Sequence, residues 1–277
     1  MNEFTLWKGD ALEYMKSMPS ASVDFLATDP PYSSGGAFRD DRNKNTSSKY
    51  QNTETEKEYP DFMGDSRDQL AYYYWCALWL GQCSRILKPG RVACVFTDWR
   101  QLATTINAFQ IGGLVWRGIV PWNKTEAARP TKGRFRAQCE YIVWGTVGAM
   151  DEQTEVCLPG FFTYSVKPNE KQHVTGKPLS LLVDILQIAG EPSKVIFDPF
   201  AGSGTTGEAA AILGHQFIGC EIDENYYQIA KKRIEQAVRK PGLWHATQQS
   251  VNPTKGSLPT SQAVSQPEFL SDLEGLS

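Results

Sequence analysis

Two prolines in succession place the firmest constraint on this chain. Residues 22–28 read as a buried strand, and Asp29-Pro30-Pro31-Tyr32 closes it. Proline fixes its own φ and has no N–H to give to a sheet ladder, so a Pro-Pro pair ends the strand in a rigid turn. A related junction recurs downstream. Residues 194–197 form a strand that runs into Asp198-Pro199-Phe200-Ala201-Gly202-Ser203-Gly204-Thr205, and a helix over 206–213 follows.

The remaining elements alternate in the same way. Strands are predicted at 4–7, 91–97, 114–122, 140–144 and 216–220, with helices at 11–18, 66–87, 179–188 and 225–239. Leu70, Tyr73, Tyr74, Ala77, Leu78 and Leu80 mark the apolar positions of the 66–87 helix, which Lys88-Pro89-Gly90 stops. The strands at 114–122 and 140–144 read as antiparallel neighbours. Strand–helix alternation predicts an α/β fold with a mainly parallel sheet covered on both faces. Ligands of such sheets bind outside the carboxyl ends of the strands. Three loops at such ends stand out: Gly9-Asp10, Asp29 to Tyr32, and Asp198 to Thr205 with Glu221 beyond it.

Composition bounds the rest. The 277 residues, 41% hydrophobic, fit one core plus excursions. A single domain is expected over 1–239, with a polar insertion at 33–64, followed by a disordered tail at 240–277. The net charge of −3 excludes a bulk polycation, so nucleic-acid binding requires a local basic patch. The six cysteines form no CxxC pair and the three histidines lie far apart, so no metal site is predicted. The cysteines read as reduced thiols of a cytosol-like compartment. The start, MNEFTLWKGDALEYM, lacks a basic stretch followed by an apolar one, so neither secretion nor membrane spanning is expected.

The loops carry the chemistry. In 198–205 small residues precede a helix, so backbone can approach a ligand closely and helix N–H groups face it. Glu221 closes the next strand, where an acid can accept hydrogen bonds from ribose hydroxyls. The loop is neither GxGxxG nor a phosphate-binding loop with its lysine. Asp29 and the Pro30 carbonyl offer two acceptors for an NH2 group, and Tyr32 offers a flat face for a heterocycle. Structural alternatives stand beside each reading. Asp10 suits a helix cap, Glu221 a strand-end acid, Lys177 a solvated lysine, and Phe200 packing beneath the loop. DPPY can equally be a strand-ending turn.

Taken together, these residues resemble the S-adenosylmethionine-dependent DNA amino-methyltransferases, which methylate N6 of adenine or N4 of cytosine. In that family DPPY is the catalytic motif and a (D/E)PFxGSGT loop binds the methyl donor. This chain has both, as Asp29-Pro30-Pro31-Tyr32 and Asp198 to Thr205, with the catalytic motif first, which is the order of the family's β group. His173-Val174-Thr175-Gly176-Lys177-Pro178 is similar to the HxTxKP stretch, and Cys139 to Trp144 also matches a family segment; the likeness spans about residues 4–239.

The resemblance implies a Rossmann-like class I methyltransferase, with a mostly parallel seven-stranded sheet flanked by helices in permuted β order. It implies catalytic roles for Asp29, Pro30, Pro31 and Tyr32. S-adenosylmethionine would be held by Asp10, Thr175, Lys177, Asp198, Phe200, Ala201, Gly202, Ser203, Gly204, Thr205 and Glu221. Thr175 and Lys177 would serve its methionine end. The implied partner is double-stranded DNA in the cytoplasm of a bacterial or phage-infected cell, and a homodimer is compatible with the family. The DPPY spelling is more often associated with adenine, and N4 of cytosine is the alternative.

A basic stretch between the antiparallel strands carries Lys124, Arg129, Lys132, Arg134 and Arg136, and is the expected phosphate-binding segment. A solvated hairpin loop is its structural alternative. Methyltransferases acting on RNA or on a protein amide also use an xPPY turn. A nicotinamide oxidoreductase or a non-catalytic nucleotide-binding module is the reading from a different class.

Overall fold

The computed structural model describes residues 3–33, 67–127, 132–133, 135–150, 156–165 and 176–239. Strand β2 (Val23–Thr28) is buried at every position, as a central strand covered on both faces must be. Its one acid, Asp24, accepts hydrogen bonds from Lys88 Nζ at 2.7 Å and from the Val195 N–H at 3.0 Å. Burial opposes the charge of Asp24, but these partners hold its carboxyl below the ordinary value.

The chain runs β1 (Phe4–Lys8), α1 (Ala11–Ser17), β2, α2 (Gln69–Ile86), β3 (Leu87–Thr97), α3 (Leu102–Ile111), β4 (Val115–Asn123), β5 (Cys139–Thr146) and β6 (Phe162–Thr163). It continues with α4 (Leu179–Leu186), β7 (Val195–Asp198), α5 (Thr205–Ile212), β8 (Gln216–Glu221) and α6 (Glu224–Val238). The strands form one sheet in the order β1-β8-β7-β2-β3-β5-β4-β6. Only β5 runs against the others, pairing antiparallel with β3 and β4. The expected sheet had seven strands. The eighth is the two-residue β6, which adds to the edge of β4 and has too short a pattern to announce itself.

Two sequence expectations need correcting. Helix α2 forms where predicted and buries Leu80 as expected, but its other buried residues are Tyr72, Cys76, Trp79, Cys83 and Ile86, while Leu70, Tyr74 and Leu78 are exposed. Apolar residues fill every position of this helix from Leu70 to Leu80, so periodicity alone does not choose its face. Strand β3 begins at Leu87, directly after the helix, so Lys88-Pro89-Gly90 lies within the strand rather than before it. Helix α3 occupies a stretch with no predicted element, although Leu102, Ile106 and Phe109 carry helical spacing.

The described residues fall within a compact unit, Met1–Leu243. Almost all of the insertion expected at 33–64 and the whole of the tail expected at 240–277 lie outside them. Among the described residues no helix is long and apolar enough to cross a membrane, and no His/Cys/Asp/Glu group is arranged to hold a metal. All six cysteines are free thiols.

The contact between α5 and α6 depends on Gly204, which precedes α5 with φ +83°. A Cβ there would stand 2.8 Å from the Ala230 Cα of α6. Gly202, at φ +52°, has nothing within 4 Å of the same position. Gly204→Ala should therefore cost about 2–4 kcal/mol, the left-handed penalty plus overpacking, and Gly202→Ala only about 1 kcal/mol. Urea midpoints of the two variants check this ranking.

Candidate active site

The parallel strands β1, β8, β7, β2 and β3 all end at one side of the sheet, and a cavity of about 600 Å³ opens there. That volume lies within the usual range of small-molecule sites. All three loops singled out in the sequence line it. Its two halves have different chemistry.

The first half is built on the loop after β7. Asp198 is buried, and its carboxylate is committed to the protein. Oδ1 accepts from Thr28 Oγ1 at 2.7 Å and the Phe200 N–H at 3.0 Å, and Oδ2 accepts from Thr206 Oγ1 at 2.7 Å. Burial raises the Asp198 carboxyl to about 6 despite these donors. Asp198 thus holds the loop in shape. The Ala201 N–H donates to the Cys220 carbonyl at 2.8 Å, tying the loop to β8. Arg233 of α6 pairs with Glu208 and donates to Thr205 Oγ1 at 2.8 Å, fixing the start of α5. Of the two glycines read as giving close approach, only Gly202 meets open space; Gly204 is spent on helix packing.

Three side chains face the cavity beside this loop. Glu221 accepts from the Gly202 N–H at 2.8 Å and the Asp223 N–H at 2.9 Å, and burial lifts its carboxyl to about 7. Asp10 caps α1 through Oδ1, which accepts from the Leu12 and Glu13 N–H groups. The cap reading is therefore realised, and Asp10 also lines the cavity. Phe200 does pack, against Trp75 and Trp79 of α2 with ring centroids 5.2 Å apart, yet it lines the cavity as well. The Arg67 guanidinium lies 4.1 Å from the Trp75 ring centroid. Acid, aromatic faces and an open glycine suit an adenosine-like ligand.

The second half is an ion cluster around Asp29. Tyr32 Oη donates to Asp29 Oδ1 at 2.6 Å, and Lys177 Nζ donates to Asp29 Oδ2 at 2.5 Å. Lys177 also contacts Glu140 Oε2 at 3.2 Å, and Lys124 donates to Glu140 Oε1 at 3.0 Å. Burial pushes the Asp29 carboxyl up, only partly offset by Lys177. Burial also opposes the Glu140 charge, but Lys177 and Lys124 overcome it and bring Glu140 down to about 2. Burial works against the Lys177 charge too, and the two carboxylates reverse that, so Lys177 is raised and stays charged. Tyr32 is pushed well above its ordinary value and stays neutral.

Lys177, expected at the methionine end of a donor, lines the cavity and is bonded there to Asp29. Lys124, expected on DNA phosphate, is half-buried on Glu140 and lines the cavity. Arg136 donates to the Glu126 carbonyl at 2.6 Å, as a hairpin brace does. Lys132 lies in an exposed turn near Phe135, which is fully exposed. Arg129, Arg134 and Thr175 lie outside the described residues. Glu140, Arg233, Trp75 and Trp79 were not foreseen as site residues. The signals available for Glu140 were its place as a lone acid in the otherwise uncharged β5 and the likeness of Cys139 to Trp144 to a family segment.

This cavity, with an acid-and-proline turn facing a small-residue donor loop across one sheet end, defines a nucleotide-type group-transfer site. The chain belongs to the N6/N4 DNA methylase family, whose sequence profile matches residues 23–156 and 152–232. It is 27% identical over 301 residues to the type II methyltransferase M.HinfI of Haemophilus influenzae, covering 94% of this chain and 77% of that one. The fold matches the M1.HpyAVI–SAM complex with a TM-score of 0.59 at 22% identity, covering 83% of this chain and 98% of the other. It also matches the cytosine-N4-specific PvuII DNA methyltransferase with a TM-score of 0.65 at 17% identity, covering 86% and 91%. These structural likenesses show a class I methyltransferase fold in permuted strand order.

With its carboxyl raised to about 7, folded Glu221 keeps a proton that the unfolded chain releases in the ordinary carboxylate range. Stability from this group is therefore lost as pH rises through that window. The melting temperature of the ligand-free protein should fall relative to Glu221→Gln between about pH 5 and pH 8. Parallel melting curves across that range would remove the shift from the account.

Proposed function

We propose that this chain is a site-specific methyltransferase that moves a methyl group from S-adenosylmethionine to N6 of adenine in double-stranded DNA. Asp29 carries the reading: its carboxylate stands at a rigid proline turn in the same cavity as the donor loop. Asp10, Glu221, Phe200 and the open face of Gly202 fit the donor's amine, hydroxyls, ring and backbone approach. Bound there, the donor supplies an electrophilic methyl on a sulfonium.

The protein's task is to make a poor nucleophile attack. An exocyclic amine delocalises its lone pair into the ring, and in a duplex it is hidden, so the base must rotate out into the cavity. Asp29 and the Pro30 carbonyl accept the two N–H bonds, localise the lone pair and aim it at the methyl carbon. Tyr32 and Pro31 border the base, with Tyr32 giving its face. The basic stretch with Lys124, Arg129, Lys132, Arg134 and Arg136 is the proposed phosphate contact, with Lys132 in an exposed turn. The reading places the protein in the cytoplasm of a bacterial or phage-infected cell, where that DNA lies.

The Asp spelling of the first motif position supports adenine. The fold itself is shared with a cytosine-N4-specific enzyme and does not choose the base. The test is labelled methyl transfer to double-stranded DNA followed by nucleoside mass spectrometry. N6-methyladenine is expected. N4-methylcytosine alone would overturn the base, and label in RNA or protein with unlabelled DNA would overturn the substrate.

A further inference from the structure

Both groups bonded to Asp29 also touch Glu140. Tyr32 Oη reaches Asp29 Oδ1 at 2.6 Å and Glu140 Oε2 at 3.3 Å. Lys177 Nζ reaches Asp29 Oδ2 at 2.5 Å and Glu140 Oε2 at 3.2 Å. Lys177 is 6% exposed and Glu140 16%, so solvent screens this cluster little. Lys124 closes it on the far side of Glu140. Two carboxylates and two ammonium groups thus balance beside the reacting position.

Building on the methyltransferase reading, we infer that Glu140 is a positioning residue: it shares Lys177 and Tyr32 with Asp29 and so frees Asp29 to receive the target amine. Without Glu140, Lys177 would have Asp29 as its one carboxylate and would hold it fully. With Glu140, the ammonium has a second partner to lean on as the amine arrives.

The same sharing matters after transfer. The amine lone pair forms the N–C bond, the C–S bonding pair goes to sulfur, and the nitrogen passes one proton to Asp29, which yields it to water as the base leaves. Asp29 is neutral for that interval. A buried ammonium left unpaired is costly, and Glu140 keeps Lys177 paired throughout. Among the described residues, the charged and titratable groups around Asp29 are Tyr32 on its own loop, Lys177 before α4, Glu140 on β5 and Lys124 after β4. Asp98 after β3 and Asp198 on β7 act on the cluster from further off.

The experiment is single-turnover methyl transfer to DNA across pH, for wild type, Glu140→Gln, Glu140→Asp and Lys124→Met, with donor affinity measured by calorimetry in each. Glu140→Gln should slow transfer by roughly tenfold to a hundredfold, as misplaced reacting groups do. Donor affinity should stay within about threefold, showing that the variant is folded. Glu140 raises the Asp29 carboxyl, so its removal should move the acid limb of the rate to lower pH. Lys124→Met removes a cation and should move that limb the opposite way. Glu140→Asp should recover part of the rate, and this pair of variants decides the matter if Glu140→Gln does not fold. An active wild type with Glu140→Gln matching it in rate and acid limb overturns the inference alone. So does a slow variant whose limb stays put while its melting temperature drops. A wild type that methylates no DNA overturns the reading and the inference with it.

Discussion

The hydrogen bond from Thr28 Oγ1 to Asp198 Oδ1, 2.7 Å long and buried, ties the two halves of the site together. Thr28 is the last residue before the proline turn, and Asp198 the last before the donor loop. Strands β2 and β7 are parallel neighbours, so both loops leave the sheet at the same edge. The bond holds the starts of the two loops together. Asp198 then fixes Phe200 and Thr206 as well, so one carboxylate organises a turn, a ring and a helix start. Each lost partner would leave a buried acceptor unsatisfied, which is costlier than the bond itself is worth. The acid of a motif read as donor-binding therefore belongs first to the fold.

From that clamp the cavity divides cleanly. On one side small residues, Glu221, Asp10 and packed aromatics make a neutral-to-acidic cradle. On the other, Asp29, Tyr32, Lys177 and Glu140 make a balanced charge cluster. A sulfonium donor and a neutral amine need these two environments at close range, one to hold a cation and one to draw on N–H bonds. The sheet supplies the closeness and the loops supply the difference.

Most of the fold was legible because strand–helix alternation and proline stops are local signals. The proline turn and the small-residue loop announced themselves by composition, and Glu221 by its distance from the loop. What was not legible depends on contacts between distant residues. Lys177 and Asp29 stand 148 residues apart in sequence, and no spacing rule brings them together. No local pattern pairs Lys124 with Glu140 either, because charge in a loop carries no direction. The face of α2 failed for the opposite reason, since too many apolar residues satisfied too many registers; the stripe through Tyr72, Cys76 and Trp79 is chosen by Phe200 and the sheet beneath. Gly204 read as ligand approach, yet Ala230 explains it.

The central claim is that donor and target are served by separate residues meeting in one cavity. Calorimetric titration of S-adenosylmethionine into Asp29→Ala, with methyl transfer measured on the same sample, tests it most directly. The account predicts that transfer is lost while donor affinity changes by no more than about threefold, under 1 kcal/mol. A donor affinity that collapses together with transfer would contradict it, because Asp29 would then belong to the donor's side of the site.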